Sequence, residues 1–174
     1  MSISYKKIAV FDFDGTLVDS PLPDTGRNEY QQKTGKPWPY EGWWGKAESL
    51  DMNIFDIPVI PSTIASYNKE ESNDETLMVM MTGRMIKLSK YVEAILEAKG
   101  LKFDEYIYNM GGSTIDSKIK SLDNLLIKYQ TVSEVEAWED RQEHVGAFKA
   151  WGDKQIESGR LTGFNINLVP TGRH

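Results

Sequence analysis

Five short apolar runs separated by amphipathic stretches constrain this chain more than any other feature. The runs are Ile8 to Phe11, Thr76 to Met81, Tyr106 to Tyr108, Val132 to Trp138 and Phe164 to Val169. Runs this short and this apolar suit strands covered on both faces. Helical spacing fills the gaps between the later ones. From Met85 to Lys99, Leu88, Tyr91, Val92, Ile95 and Leu96 make one stripe, and Gly100 supplies a stop. From Thr114 to Tyr129, Ile115, Ile119, Leu122, Leu125, Leu126 and Tyr129 make another, with Ser113 placed to cap it. Residues 141 to about 157 carry Val145, Phe148 and Ile156 in a third. Strands alternating with helices predict an α/β fold with a parallel central sheet flanked by helices. Ligands of such sheets bind at the carboxyl ends of the strands.

The first run ends in Phe11-Asp12-Phe13-Asp14-Gly15-Thr16-Leu17-Val18-Asp19-Ser20. Alternate strand residues project to one side, so Asp12 and Asp14 can converge on one small volume. Two carboxylates that close repel, so one keeps a proton or the pair holds a divalent cation. Phosphoryl transfer uses both arrangements: a carboxylate nucleophile, a proton donor for the leaving oxygen, and a cation to offset phosphate charge. A bare Asp-Gly turn would explain Gly15 but not the ten-residue string.

The residue inventory narrows the chemistry. The 174-residue chain is long enough for one domain with a sizeable core. It has no cysteine, which excludes disulfides and thiolate metal sites and fits a cytoplasmic protein. Only His144 and His174 offer imidazole, so a metal site must be mostly carboxylate, and hard oxygen ligands point to Mg²⁺. No apolar run approaches the roughly 20 residues of a membrane span. The segment Met1 to Lys7 does not read as a secretory leader. A net charge of −6 gives no broad attraction for nucleic acid or anionic lipid.

The next three strand ends each carry a candidate partner for the first motif. After the second comes Thr82-Gly83-Arg84, where a hydroxyl and free backbone N–H groups at a helix start suit a phosphate, and Arg84 can add a charge-assisted contact. After the third comes Gly111-Gly112-Ser113-Thr114-Ile115-Asp116-Ser117-Lys118, which is not a Walker A loop. After the fourth come Glu139, Asp140 and Arg141, where adjacent acids would complete a cation site.

Taken in order, these strings resemble the motifs of the haloacid dehalogenase (HAD) superfamily of aspartate-nucleophile phosphohydrolases. Glu139-Asp140-Arg141 followed by His144, Phe148 and Trp151 is similar to the last motif of the Swiss Army Knife RNA-repair HAD subfamily. That subfamily also shows the Thr-Gly-Arg step and a Thr-x-x-x-Lys helix, here Thr114 to Lys118. The resemblance runs from Lys7 to about Trp151 and implies a Rossmann-like HAD fold. It implies a Mg²⁺-dependent phosphomonoesterase in which Asp12 is the nucleophile and Asp14 the general acid and base. For that role Asp14 is expected to hold a proton near neutral pH, above its ordinary ~3.9. The implied metal residues are Asp12, Asp14 through its carbonyl, and Asp140, with Glu139 beside them. The implied substrate-binding residues are Thr82, Gly83, Arg84 and a lysine. Lys118 is the choice for that lysine and Lys120 the alternative, since Asp116-Ser117 stands where the pattern has an apolar or aromatic residue. Asp19 is expected to help orient a flap.

Residues 1–174 are expected to form a single domain, with residues 20–61 an irregular insertion serving as flap or small cap. The insertion holds Pro21, Pro23, Pro37, Pro39, Pro58 and Pro61, too many for long helices. It also holds Trp38, Tyr40, Trp43 and Trp44, which either stack bases or pack the insertion down. Packing is the reading favoured for at least one of Trp43 and Trp44. Three functions stay open: a phosphatase acting on an RNA or DNA end, a nucleotide or metabolite phosphatase, and a non-catalytic binding module on the same scaffold.

Overall fold

The structure, a computed structural model, describes residues 4–171 and Arg173. Met1 to Ile3, Gly172 and His174 lie outside the described residues, and with them part of the leader reading and one of the two imidazoles. Five parallel strands form one sheet in the order β3-β2-β1-β4-β5. They are β1 (Lys7–Phe11), β2 (Thr76–Met85), β3 (Glu105–Asn109), β4 (Glu134–Glu139) and β5 (Gly163–Leu168). The helices are α1 (Pro23–Thr34), α2 (Pro61–Glu71), α3 (Ser89–Ala98), α4 (Thr114–Lys128) and α5 (Gln142–Glu157). The expected parallel α/β sheet is therefore present.

Burial on both faces explains why the strands read as unbroken apolar runs. Ala9 and Phe11 of β1, with Met78 and Met80 of β2, pack against Val92, Ile95 and Leu96 of α3, Tyr67 of α2 and the insertion. Ile8 and Val10, with Leu77, Val79 and Met81, pack against Leu122, Leu125 and Leu126 of α4 and Phe148 and Trp151 of α5. Alternation along each strand thus feeds two cores rather than a core and a solvent face. The rings of Phe11 and Trp138 stack across β1 and β4 at 4.3 Å between centroids and 5° between planes.

β1 lies at the centre, paired with β2 on one side and β4 on the other. The chain runs outward to β3 and then returns across the sheet to β4. This change of direction opens a crevice beyond the carboxyl end of β1, where open α/β sheets bind ligands.

Two regions depart from the sequence expectation. Residues 20–61 are less irregular than their prolines suggest, because Pro23 sits in the first turn of α1, where its missing N–H costs nothing. Pro61 does the same for α2. Gly35, at φ +75°, ends α1. The second departure is at Thr82-Gly83-Arg84. These residues continue β2 to Met85, with a register shift, and α3 begins only at Ser89 after a 3₁₀ turn over Ile86–Leu88. The backbone N–H groups expected from an immediate helix start are therefore not supplied there.

The insertion is tied down at its neck and its base. Asp19 N–H donates to the Pro58 carbonyl and Ile60 N–H to the Leu17 carbonyl, at 2.8 and 3.0 Å. Trp43 is buried, donates its indole N–H to the Pro21 carbonyl at 3.1 Å, and sits against Gly26 of α1. A Cβ at Gly26 would meet the Trp43 ring at 2.2 Å, so the glycine sets how closely α1 approaches. Trp38 packs on Trp43 with 4.5 Å between centroids. Packing is the role of Trp43, as favoured from the sequence.

Candidate active site

The end of β1 turns sharply, and the turn fixes the first motif. Asp12 N–H still donates to the Trp138 carbonyl, so Asp12 prolongs the strand beside β4. Gly15 then adopts φ +74° and donates to the Val18 carbonyl at 2.8 Å. A side chain there would be strained by the backbone, and its Cβ would lie 2.1 Å from Asp140 Oδ2. Glycine at this position lets the Asp14 turn press onto the end of β4.

Asp12 faces a lysine, a hydroxyl and two more acids. Lys118 Nζ donates to Asp12 Oδ1 and to Glu139 Oε1, each at 2.9 Å. Thr16 donates to Asp12 Oδ2 at 3.2 Å. Lys118 comes from the second turn of α4, whose Ser113 cap accepts the Asp116 N–H as the sequence predicts. Lys118 is buried, whereas Lys120 is exposed on the far side of the helix turn. The geometry selects Lys118 as the lysine that reaches Asp12.

Glu139 is saturated. Its Oε1 accepts Lys118 and meets His144 Nδ1 at 3.0 Å, while Oε2 accepts the Asp140 N–H at 2.9 Å. Burial pushes the Glu139 carboxyl up, but Lys118 and His144 outweigh burial and hold it well below the usual carboxylate range. Burial and the Glu139 charge push Asp12 the other way, well above its ordinary value, and Lys118 only partly opposes them. Burial also works against the charge on Lys118, yet Asp12 and Glu139 hold it firmly protonated. A proton entering this group therefore goes to Asp12.

Ligand oxygens of Asp12, Glu139 and Asp140 all lie within 4.8 Å of one another. An all-carboxylate, buried set with no thiolate or imidazole in it fits a small hard cation. The carboxylate of Asp14 is not in the group. Asp14 turns instead to Arg84, which donates from Nε at 2.9 Å and from Nη2 at 2.7 Å, and to Ser20 Oγ at 2.5 Å. Only the Asp14 carbonyl is left for the metal role expected of that residue.

Arg84 lines the cleft and is itself held by several partners. Besides Asp14 it donates from Nη1 to the Trp44 carbonyl at 3.0 Å and to Ser49 Oγ at 2.8 Å. Burial raises the Asp14 carboxyl, but the Arg84 guanidinium outweighs burial, and Asp14 is held below the usual range. The expectation that Asp14 keeps a proton near neutral pH is thus reversed in this arrangement. Thr82 is buried and its hydroxyl accepts the Arg84 N–H at 3.1 Å. Gly83 lines the cleft directly, pressed against Thr114, whose side chain would lie 2.5 Å from a Cβ at Gly83.

Sequence reasoning missed Arg173. It donates to Asp19 at 2.8 Å and to the Ser20 carbonyl at 2.6 Å, and its Nε lies 4.0 Å from Asp140 Oδ2. No spacing rule marks an arginine beyond the last strand. Its partner Asp19, expected to orient a flap, is the residue Arg173 holds. Asp12, Asp14, Arg84, Lys118, Asp140 and Arg173 line a cleft of about 460 Å³ with Trp44, Arg141 and His144 at its walls, a size suited to a small ligand.

This fold and this carboxylate-lysine cleft are those of a HAD-type domain. The chain matches, over residues 33–173, the family described as HAD domain family 1 in Swiss Army Knife RNA repair proteins, and it belongs to that family. The matched span holds Thr82, Arg84, Lys118, Glu139 and Asp140, while Asp12 and Asp14 precede it. Two structures of the HAD domain of effector protein Lem4 from Legionella pneumophila, one an inactive mutant, share the fold. At 12% identity they give TM-scores of 0.55 and 0.56, over 98% of this chain and 89% and 88% of theirs. Family membership points to hydrolase or phosphatase activity and implies a phosphorylated substrate. Among the described residues, no helix is long and apolar enough to cross a membrane.

Proposed function

We propose that this protein is a Mg²⁺-dependent phosphomonoesterase that works through an aspartyl-phosphate and acts on a terminal phosphate of a nucleic acid. The observation that carries the reading is Asp12, held at the end of the central strand by Lys118 and set against Glu139 and Asp140. Asp12 attacks phosphorus as the bond to the leaving oxygen breaks, and Asp14 gives that oxygen its proton. A water then attacks the aspartyl-phosphate, Asp14 takes the water's proton, and the bond to Asp12 breaks. Asp12, Asp140 and the Asp14 carbonyl would hold the cation, and Glu139 positions Lys118 and His144 behind them. Bound there, Mg²⁺ supplies counter-charge for the phosphoryl oxygens and favours the ionised form of Asp12. Lys118 stays charged throughout and spans the nucleophile and the transferring group.

The Arg84 pair suits Asp14 better to the second half-reaction than to the first. Asp14 is ready as a base and must acquire a proton before it acts as an acid. Gly83 and Thr82 support the phosphoryl side of the cleft. In this reading residues 1–174 act as one domain, with residues 20–61 its flap, in the cytoplasm. The second reading, a nucleotide or metabolite phosphatase, draws on Leu22, Pro23, Trp44 and Gly45, through which the insertion walls one side of the cleft. A non-catalytic binding module is the third.

The test is Mg²⁺-dependent release of inorganic phosphate from 3′- and 5′-phosphorylated oligonucleotides, mononucleotides and sugar phosphates. Asp12→Asn and a chelator serve as controls. Preferential release from an oligonucleotide end is expected. Turnover confined to small esters would move the protein to the second reading, and no release from any substrate would support the third.

A further inference from the structure

Trp43 and Trp44 are neighbours in sequence with opposite surroundings. Trp43 is 3% exposed and belongs to the core, whereas Trp44 is 41% exposed and lines the cleft. A large exposed indole does not serve packing, so another contact must account for its placement. Its position is nonetheless fixed. The Trp44 carbonyl accepts Arg84 Nη1, and the Arg84 guanidinium lies over the indole at 5.0 Å from its centroid. The other edge of the same guanidinium holds Asp14. One planar cation thus spaces the indole from the residue that serves the leaving oxygen.

We infer that Trp44 is a specificity-determining residue, and that it stacks on a nucleobase carried by the leaving group. The inference rests on the phosphatase reading above. In that reading Asp14 protonates the leaving oxygen, so whatever carries the oxygen lies on the Asp14 side of the cleft, beside Trp44. Leu22, Pro23 and Met85 line the same cleft and give it apolar walls. Next to the indole, a Cβ on Gly45 would meet nothing within 4 Å, so no atom crowds the chain beside the platform. A flat, π-faced group suits such a platform whatever its sequence identity. Sugar hydroxyls would find no hydrogen-bond partner on these apolar walls. The same base contact is available to a free nucleotide and to the last residue of an oligonucleotide.

The test compares substrates that differ only in the base. Wild type, Trp44→Ala and Trp44→Phe are assayed with Mg²⁺ on nucleoside 3′- and 5′-monophosphates against ribose phosphates. The same proteins are assayed on phosphorylated oligonucleotides ending in a base against those ending in an abasic residue. Wild type is expected to prefer the base-bearing member by about 5- to 150-fold in kcat/KM, chiefly through KM. Trp44→Ala should bring the ratio close to one, and Trp44→Phe should keep most of it. Preference among oligonucleotides alone identifies a strand end as the source of the base, and preference among monophosphates identifies a free nucleotide. A wild-type ratio near one, or a ratio unchanged in Trp44→Ala, overturns the inference. Equilibrium binding of the same compounds to Asp12→Asn, with and without Trp44→Ala, separates the two claims. If no substrate is turned over but Trp44→Ala still weakens base-bearing ligands selectively, the phosphatase reading fails and the platform stands. If turnover is normal but binding ignores the base, the platform alone fails.

Discussion

The carboxyl edge of the sheet and the insertion over it are held by different forces. At the edge, buried charges are matched one against another: Lys118 with Asp12 and Glu139, and Arg84 with Asp14. In the insertion, rings pack on rings, from Tyr30 through Trp38 to Trp43 and Phe55. The edge places functional groups at the expense of stability, since like charges are crowded where water is scarce. The insertion contributes stability and shape. Arg84 joins the two, with one side of its guanidinium on Asp14 and the other on Trp44 and Ser49.

Substitutions can break this contrast, and the largest effect is expected at Asp12. Asp12→Asn should lower phosphate release by roughly 10³-fold or more, since no other group is placed to attack. Its stability should move the other way. Asp12 has a folded pKa above its unfolded value, so its protonated form contributes stability that is full below the unfolded pKa and is lost as pH rises through the folded one. In chelator at neutral pH, thermal unfolding of Asp12→Asn should come no lower than wild type. A lower midpoint would mean that the acid is not a burden on the fold.

Next in size is Lys118→Met, expected to cost about 3–5 kcal/mol because Glu139 and Asp12 lose their shared buried partner. Trp43→Ala should cost a similar 3–5 kcal/mol by opening a cavity against Gly26, Trp38 and Phe55. Urea unfolding measures both. The contrast is sharpened if Lys118→Met also abolishes turnover, whereas the folded fraction of Trp43→Ala keeps its response to pH.

Arg84→Gln sits on the junction. Without the guanidinium, Asp14 should titrate higher, so the alkaline limb of the kcat profile should move to higher pH. A limb that stays in place would show that Asp14 is not the titrating acid. The smallest effect on stability is expected for Trp44→Ala, within about 0.5 kcal/mol of wild type by the same unfolding measurement. A larger loss would make Trp44 part of the packing after all.

The two regions were also unequally legible from sequence. The sheet was visible because strands buried on both faces leave unbroken apolar runs, and all five runs become strands. Asp12, Asp14, Glu139 and Asp140 were visible because each follows such a run directly. The choice of Lys118 over Lys120 depended on which face α4 turns to β1, which spacing alone does not fix. The prolines mark the insertion as irregular, yet Pro23 and Pro61 open helices, because the first turn needs no N–H from them. The contact by which Arg84 lowers the Asp14 carboxyl joins residues seventy positions apart and leaves no mark in the sequence. Arg173 lay beyond any motif, in the segment after β5, and reaches the Ser20 carbonyl.

The place of β1 at the centre of the sheet has a consequence for how the protein is made. Lys7 pairs with Thr76 on one side and with Glu134 on the other. During synthesis the first strand therefore leaves the ribosome long before its second neighbour exists. At ~5–20 residues per second the wait is on the order of ten seconds. Through that interval Ile8 to Phe11 and the two aspartates after them form an open edge, and the most apolar strand is the one left waiting. Asp12 is thus translated well before the strand that completes its surroundings, and its buried contacts form only once the sheet around it is closed.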